Sequence, residues 1–189
     1  MPVLERYQVQ LLNGPIATAE RWTVGEANER HLCQLLMGGS IASKEDWAHL
    51  RDDLKVTHVL SLETEHDDRA SGVPDEVLLW LPTPDDGGMK QPAWFHLGWQ
   101  FVLKAVRDEK ARLYLHCQMG GSRTPLMLYP ILRRLRELSL PSGPIPDWPK
   151  NRALNLIREV KPSFGTHHAH ANYLASAEVY LAIADLVAA

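Results

Sequence analysis

The stretch YLHCQMGGSRTP, residues 114–125, closes an apolar run and opens a helical pattern, and it holds one of only two cysteines in a chain of 189 residues. A strand that delivers its loop straight into a helix N-terminus leaves several backbone N–H groups without partners. The aligned peptide dipoles add partial positive charge at the same place, and such a place binds phosphate or sulfate. Gly120 and Gly121 let the backbone curl so that successive N–H groups point inward. Arg123 brings a planar fork that matches two phosphate oxygens. Cys117 stands at the start of the loop, in a field that favours the nucleophilic thiolate. Together these residues form an anion cradle with a nucleophile at its floor. That arrangement suits attack on phosphorus, with the equatorial oxygens held by the loop and Arg123.

Working outward, RLYLH (112–116) reads as a buried strand, and TPLMLYPILRRLREL (124–138) as a helix in which Pro130 removes one backbone hydrogen bond. Upstream, LCQLLMGGSI (32–41) reads as a strand ending at Gly38-Gly39. Ser43-Lys44-Glu45-Asp46 has the spacing of a capping box, and Trp47, Leu50 and Leu54 form the apolar stripe of the helix it opens. VTHVLSLE (56–63) and EVLLWLPT (76–83) are short β-rich runs of the kind covered on both faces. QPAWFHLGWQFVLKAVRDEK (91–110) carries Trp94, Leu97, Phe101, Val102 and Ala105 at helical spacing. Beyond a Pro-rich loop (140–149), Asp147 is expected to cap a helix with Ala153, Leu156, Ile157 and Val160 on one side. A last helix carries Tyr173, Ala177, Tyr180, Leu181 and Ala184. Strands separated by helices predict an α/β fold, its central, mostly parallel sheet flanked by helices on both faces. Residues 1–31 are expected to be an N-terminal extension packed on the body, and 32–189 the catalytic domain.

Hydrophobic residues make up 45% of the chain and charged residues 23%, enough apolar surface for a real core. A net charge of −3 gives no ground for a nucleic-acid partner. Cys33 and Cys117 are too few for a disulfide framework. The tail YLAIADLVAA (180–189) is too short and carries Asp185, so no membrane span is expected, nor is a signal peptide; the reading is a cytoplasmic protein.

HCQMGGSRT (116–124) resembles the HCxxGxxR(S/T) active-site loop of the cysteine-dependent protein tyrosine and dual-specificity phosphatases. The resemblance implies their fold and hydrolysis of phosphate monoesters through a phosphocysteine intermediate, without metal or other cofactor. It makes Cys117 the nucleophile and Arg123 the phosphate-binding group. Gln118, Met119, Gly120, Gly121 and Ser122 supply backbone donors. Thr124 matches the hydroxyl that eases breakdown of the phosphoenzyme, and His116 the histidine that orders the loop. The family also needs a general acid on an upstream loop, and WLPTPDDGG (80–88) stands where that loop belongs. Asp85 lies 32 residues before Cys117 and echoes the Trp-Pro-Asp loop of the tyrosine phosphatases, so it is favoured over Asp86.

Departures from the family narrow the expectation. The loop carries no lysine, which weighs against an inositol-lipid substrate. The chain is too short for a full tyrosine-phosphatase core, which favours the compact dual-specificity type. VKPSFGTHHAH (160–170) has no Gln where relatives position water, and His170 is the residue nearest that role. A phosphorylated protein or small phosphate ester is the expected partner, and phosphate or sulfate can occupy the loop. A phosphatase of an inositol phosphate, a phospholipid or an RNA 5′ end, and an inactive phosphate-binding module, are the alternatives.

Other signals have plainer readings. EHDD (65–68) reads as a solvated loop. Arg133, Arg134 and Arg136 read as a solvated helix face before a docking patch. Trp94 and Trp99 are expected to pack before they frame a substrate. His167, His168 and His170 lack the fixed ligand set of a metal site. Cys33 reads as a quiet strand cysteine before a resolving thiol for Cys117.

Overall fold

Alternation of side chains across each strand decides which residues face which layer. The computed structural model describes residues 34–105, 111–137, 139–140, 143–144, 149–162, 164–166 and 168–188. The N-terminal extension, Cys33, Asp147 and His167 fall outside them. Among the described residues the sheet has four strands, β1 (Gln34–Gly38), β2 (His58–Ser61), β3 (Leu78–Trp80) and β4 (Arg112–His116), in the order β1-β4-β2-β3. All three pairings are parallel, with Gly38 and Ser61 both opposite His116. The strand C-termini therefore end together, at the edge where open α/β sheets bind ligands.

Helices α1 (Lys44–Asp52) and α2 (Pro92–Ala105) supply crossovers, and α3 (Arg123–Arg134), α4 (Lys150–Val160) and α5 (His168–Ala188) follow β4. A two-residue ribbon, β5 (Ser139–Leu140) with β6 (Gly143–Pro144), lies in the Pro-rich loop. On one face of the sheet Leu36, Val59 and Tyr114 meet Trp47 and Leu50 of α1. On the other, Leu35, Met37, Leu60, Leu113 and Leu115 meet Phe95, Trp99 and Val102 of α2, with α3, α4 and α5 stacked behind. Consecutive residues going to opposite clusters is the period-two rule of a strand covered on both sides. Each fully buried leucine or phenylalanine contributes about 1.5–3 kcal/mol relative to exposure.

Ser43 caps α1 as its spacing predicts, its Oγ accepting from the Asp46 N–H at 3.1 Å, with Glu45 and Asp46 in the positive first turn. Helix α3 runs through Pro130 unbroken, and Leu126 to Leu132 are buried. On α5, Tyr173, Ala177, Tyr180 and Leu181 form the buried stripe. The N-cap of α4 is Pro149 rather than Asp147. Proline has no N–H, and its fixed φ suits the step from loop to helix.

Candidate active site

Strand β4 delivers His116 and Cys117 to the sheet edge, and α3 begins six residues later at Arg123 with Ser122 as its N-cap. Cys117 is 2% exposed. Gly120 has φ +63°, and a Cβ there would lie 2.6 Å from the Gly38 carbonyl oxygen, so only glycine fits the curl of this loop. The Ser40 N–H donates to the Gln118 carbonyl at 3.1 Å, tying the loop to the end of β1. Met119 stands out at the loop tip, 77% exposed. Thr124 is fully buried, and its Oγ1 makes no hydrogen bond among the described residues.

Arg123 is 2% exposed. Nη1 and Nη2 donate to the two carboxylate oxygens of Glu65 at 2.9 and 3.1 Å, and Nη1 also reaches the Thr83 carbonyl at 3.2 Å. This fork-to-fork pairing fixes the plane of the guanidinium. Nε is buried, makes no hydrogen bond among the described residues, and lies 4.0 Å from Asp85 Oδ2. Burial works against the Arg123 charge, yet Glu65, Cys117 and Asp85 together hold its pKa above the ordinary value. In return, the Arg123 hydrogen bonds pull Glu65 down to about 2.

The structure overturns the reading of EHDD as a solvated loop. Glu65 holds Arg123, and Asp68 is fully buried, its Oδ2 2.7 Å from Nε2 of the equally buried His116. Asp68 opens a short 3₁₀ turn, Asp68–Ser71, with Asp67 at its N-cap. The turn drives the middle of an acidic run inward while Asp67 and Arg69 pair on the surface. A histidine ending a buried strand must find a partner, but local sequence does not say which carboxylate supplies it. Glu63, 2% exposed, lies on the other side of the ring, its Oε2 3.8 Å from His116 Nδ1. Glu63, Asp68 and His116 present ligand atoms within 4.8 Å of one another, and by ligand type alone they could hold a divalent cation. Asp68 already fixes one ring nitrogen, so the set first of all holds the histidine under the loop.

The loop of residues 80–88 is anchored from α5, a connection absent from the sequence reading. Tyr173 Oη donates to Asp85 Oδ1 at 2.8 Å and accepts from the Gly87 N–H at 3.1 Å. Asn172 Nδ2 donates to the Gly87 carbonyl at 2.9 Å, and the Lys90 N–H to Ser176 Oγ at 2.9 Å. Asp85 is thus brought to the arginine. Asp86 instead turns to Lys90 Nζ at 2.6 Å and the Gly88 N–H at 2.9 Å, and those contacts hold its pKa below the ordinary value. His170 is buried, with Nε2 3.3 Å from Ser122 Oγ, and it packs on Phe164 and Tyr173.

Trp99 is core, and Trp94 donates its Nε1–H to the Leu81 carbonyl. The expectation of a solvated arginine face fails at Arg133 and Arg134. Arg134 lies over the rings of Trp99 and Tyr180 and pairs with Glu137, and Arg133 donates to Tyr129 Oη. Their stems cover apolar surface while the heads are bonded. Among the described residues no helix is long and apolar enough to cross a membrane.

No protein-family model matches the chain, and no curated protein sequence matches it. Solved structures do. The structure of PTPMT1 in complex with PI(5)P superposes with a TM-score of 0.55 at 22% identity, covering 79% of this chain and 94% of that one. Human DUSP28 superposes with a TM-score of 0.58 at 16% identity, covering 80% and 94%. P. aeruginosa TpbA gives 0.50 at 21% identity, covering 86% and 89%. With its parallel sheet, its helices on both faces and its loop from β4 into α3, the chain has the fold of the protein tyrosine and dual-specificity phosphatases.

Proposed function

We propose that the protein is a cysteine-dependent phosphate monoesterase of the dual-specificity type. The observation that carries this reading is the convergence of two groups of one loop with a third from 32 residues upstream. Cys117 and Arg123 lie buried at the two ends of one loop, and the Asp85 carboxylate stands 4.0 Å from the Arg123 Nε. Nothing in a packed core calls for that combination.

In the first step the Cys117 thiolate attacks phosphorus. The S–P bond forms as the ester P–O bond breaks in line, and Asp85, protonated, gives its proton to the leaving oxygen. In the second step water attacks the phosphocysteine, the S–P bond breaks, and the Asp85 carboxylate takes up a proton from that water. Arg123 offers its Nε–H, and the loop its N–H groups from Gln118 to Ser122, to the equatorial oxygens. Glu65 keeps the guanidinium in the plane this requires. His116, clamped by Asp68, orders the loop from below, and the Thr124 hydroxyl assists departure of the sulfur.

The leading substrates are phosphotyrosine, phosphoserine and phosphothreonine in proteins. A phosphoinositide is the second reading, favoured by the likeness to the PTPMT1 complex with PI(5)P; the lysine-free loop weighs against it. The test is hydrolysis of an aryl phosphate in the absence of metal. Wild type turns over, Cys117→Ser is inactive, and Asp85→Asn falls by about 10²–10⁴-fold. A wild type that binds phosphate but hydrolyses nothing makes the loop a recognition site. Phosphopeptides assayed against PI(5)P vesicles then separate the two substrate readings.

A further inference from the structure

The acid loop could have been tied to α5 anywhere along its length, yet its central tie ends on the reacting carboxylate itself. Tyr173 belongs to the buried stripe of α5 and is fully buried, while Asp85 is 40% exposed. Its hydroxyl sits between two groups of the loop, accepting from the Gly87 N–H at 3.1 Å and donating to Asp85 Oδ1 at 2.8 Å. An oxygen that accepts one hydrogen bond and donates another is directed along both. The neighbours on the same helix face, Asn172 and Ser176, hold the backbone at Gly87 and Lys90. The Lys90 ammonium lies 5.2 Å from the centre of the Tyr173 ring, and it also reaches the Pro84 carbonyl at 2.8 Å. Tyr173 is therefore held by packing from below and by the loop from above.

We propose that Tyr173 is the positioning residue for the general acid, using its hydroxyl to occupy Asp85 Oδ1 so that Oδ2 is the oxygen that carries and delivers the proton. This rests on the reading of Asp85 as the acid. A carboxylic acid has one carbonyl-like and one hydroxyl-like oxygen. A donor fixed on Oδ1 makes that oxygen the carbonyl and leaves the proton on Oδ2. Oδ2 is the oxygen that faces Arg123, 4.0 Å from Nε, where the phosphoryl group would be held. In the first step the Oδ2–H proton passes to the leaving oxygen as the P–O bond breaks and the S–P bond forms. In the second step Oδ2 is the oxygen that takes a proton back from water. Tyr173 keeps its own proton throughout, because burial pushes its pKa up to about 12 with Asp85 adding to the rise. It touches no substrate, and it acts by choosing which carboxylate oxygen works and where it points.

The role predicts a dependence on the leaving group that a merely structural tyrosine would not show. A dinitrophenolate leaves with little help from a proton, whereas a phenolate leaves with much. Tyr173→Phe keeps the packed ring and removes only the hydroxyl. The readout is kcat/KM, which reports transfer to Cys117 alone and not the phosphocysteine hydrolysis that both substrates share. With 2,4-dinitrophenyl phosphate the variant should keep kcat/KM within about twofold of wild type, and with phenyl phosphate kcat/KM should fall about tenfold. Each preparation is assayed on both substrates, so the ratio does not depend on how much of it is folded. In the Asp85→Asn background Tyr173→Phe should change that ratio no further, as expected for two residues acting as one unit. Equal losses on both substrates, no loss on either, or a further change of ratio without Asp85 overturns the proposal. A wild type inert on both substrates fails at the prior step, and the assignment of the acid falls together with that of its positioner.

Discussion

Two acidic runs face the same arginine from opposite sides. EHDD (65–68) meets Arg123 with Glu65, whose two oxygens close on Nη1 and Nη2 at 2.9 and 3.1 Å. PDD (84–86) meets it with Asp85, whose nearer oxygen stops at 4.0 Å from Nε. The first run is locked, with Asp68 wholly inside and Glu65 spent on a bidentate pair. The second is half-exposed and tethered through α5, and it keeps one carboxylate oxygen uncommitted to the arginine. Composition is nearly the same in the two runs. What differs is whether a carboxylate's hydrogen-bonding capacity is used up by the protein or left for a reacting atom. A used carboxylate builds a site and an unused one can work in it.

The largest expected effect sharpens the structural half of the comparison. Asp68→Ala leaves the buried His116 ring facing Glu63 alone, with its Nε2 unpartnered. Leaving a buried hydrogen-bonding group unpartnered costs about 1–3 kcal/mol. In a domain of this size that amounts to a fall in Tm of roughly 2–12 °C. Thermal unfolding by circular dichroism measures it. A Tm equal to that of wild type would mean that Asp68 is replaceable and that the locked run holds nothing in place.

These two runs also mark how far the sequence could be read. The strand–loop–helix around Cys117 was legible because its logic is local: the apolar strand, the glycines, the arginine and the helix follow within a dozen residues, and Gly120 meets the one backbone need that only glycine meets. The sheet was legible for the same reason, since Leu35, Leu36 and Met37 alternate between two cores as period two demands. Asp85 was singled out through spacing and the resemblance together, and its carboxylate lies 4.0 Å from the Arg123 Nε. Asp68 was not, because a polar run is as easily solvated as buried, and the 3₁₀ turn that buries it depends on His116, 48 residues away. Tyr173 was read as core, correctly for its ring. Its hydroxyl reaches Asp85 across 88 residues of sequence, and no local pattern announces such a contact. Arg133 and Arg134 show the converse: charged spacing suggested solvent, and neighbouring aromatic rings decided otherwise.

A smaller effect tests the pairing that the two runs share. The Arg123 hydrogen bonds lower Glu65 from an ordinary 4.5 to about 2, so the folded state holds the carboxylate ionised where the unfolded chain would protonate it. The stabilisation is complete above the ordinary value and is lost as pH falls from there towards 2. Glu65 is 37% exposed, so solvent screening reduces the gain to about 1 kcal/mol. Glu65→Gln should therefore melt a few degrees below wild type at about pH 6, and the gap should shrink by about half at about pH 3 and close towards pH 2. A gap that is constant with pH would assign the loss to shape rather than to charge.

The smallest effect concerns the neighbour that the motif left in competition with Asp85. Asp86 is not short of partners. Oδ1 accepts from Lys90 Nζ at 2.6 Å and from the Gly88 N–H at 2.9 Å, and those two donors keep its pKa below the ordinary value. A carboxylate so held is ionised at neutral pH and has no proton to give. It also sits on the solvent side of the loop, 55% exposed, while Asp85 faces the guanidinium. Asp86→Asn keeps the shape and one acceptor oxygen for the lysine. It should leave kcat on phenyl phosphate within about twofold, against the 10²–10⁴-fold expected for a lost general acid. If Asp86→Asn instead carries the large loss and Asp85→Asn the small one, the uncommitted carboxylate is not the working one. The contrast between a spent and a spare oxygen would then have to be drawn inside the acid loop itself, with Lys90 as the group that releases the proton-bearing side chain.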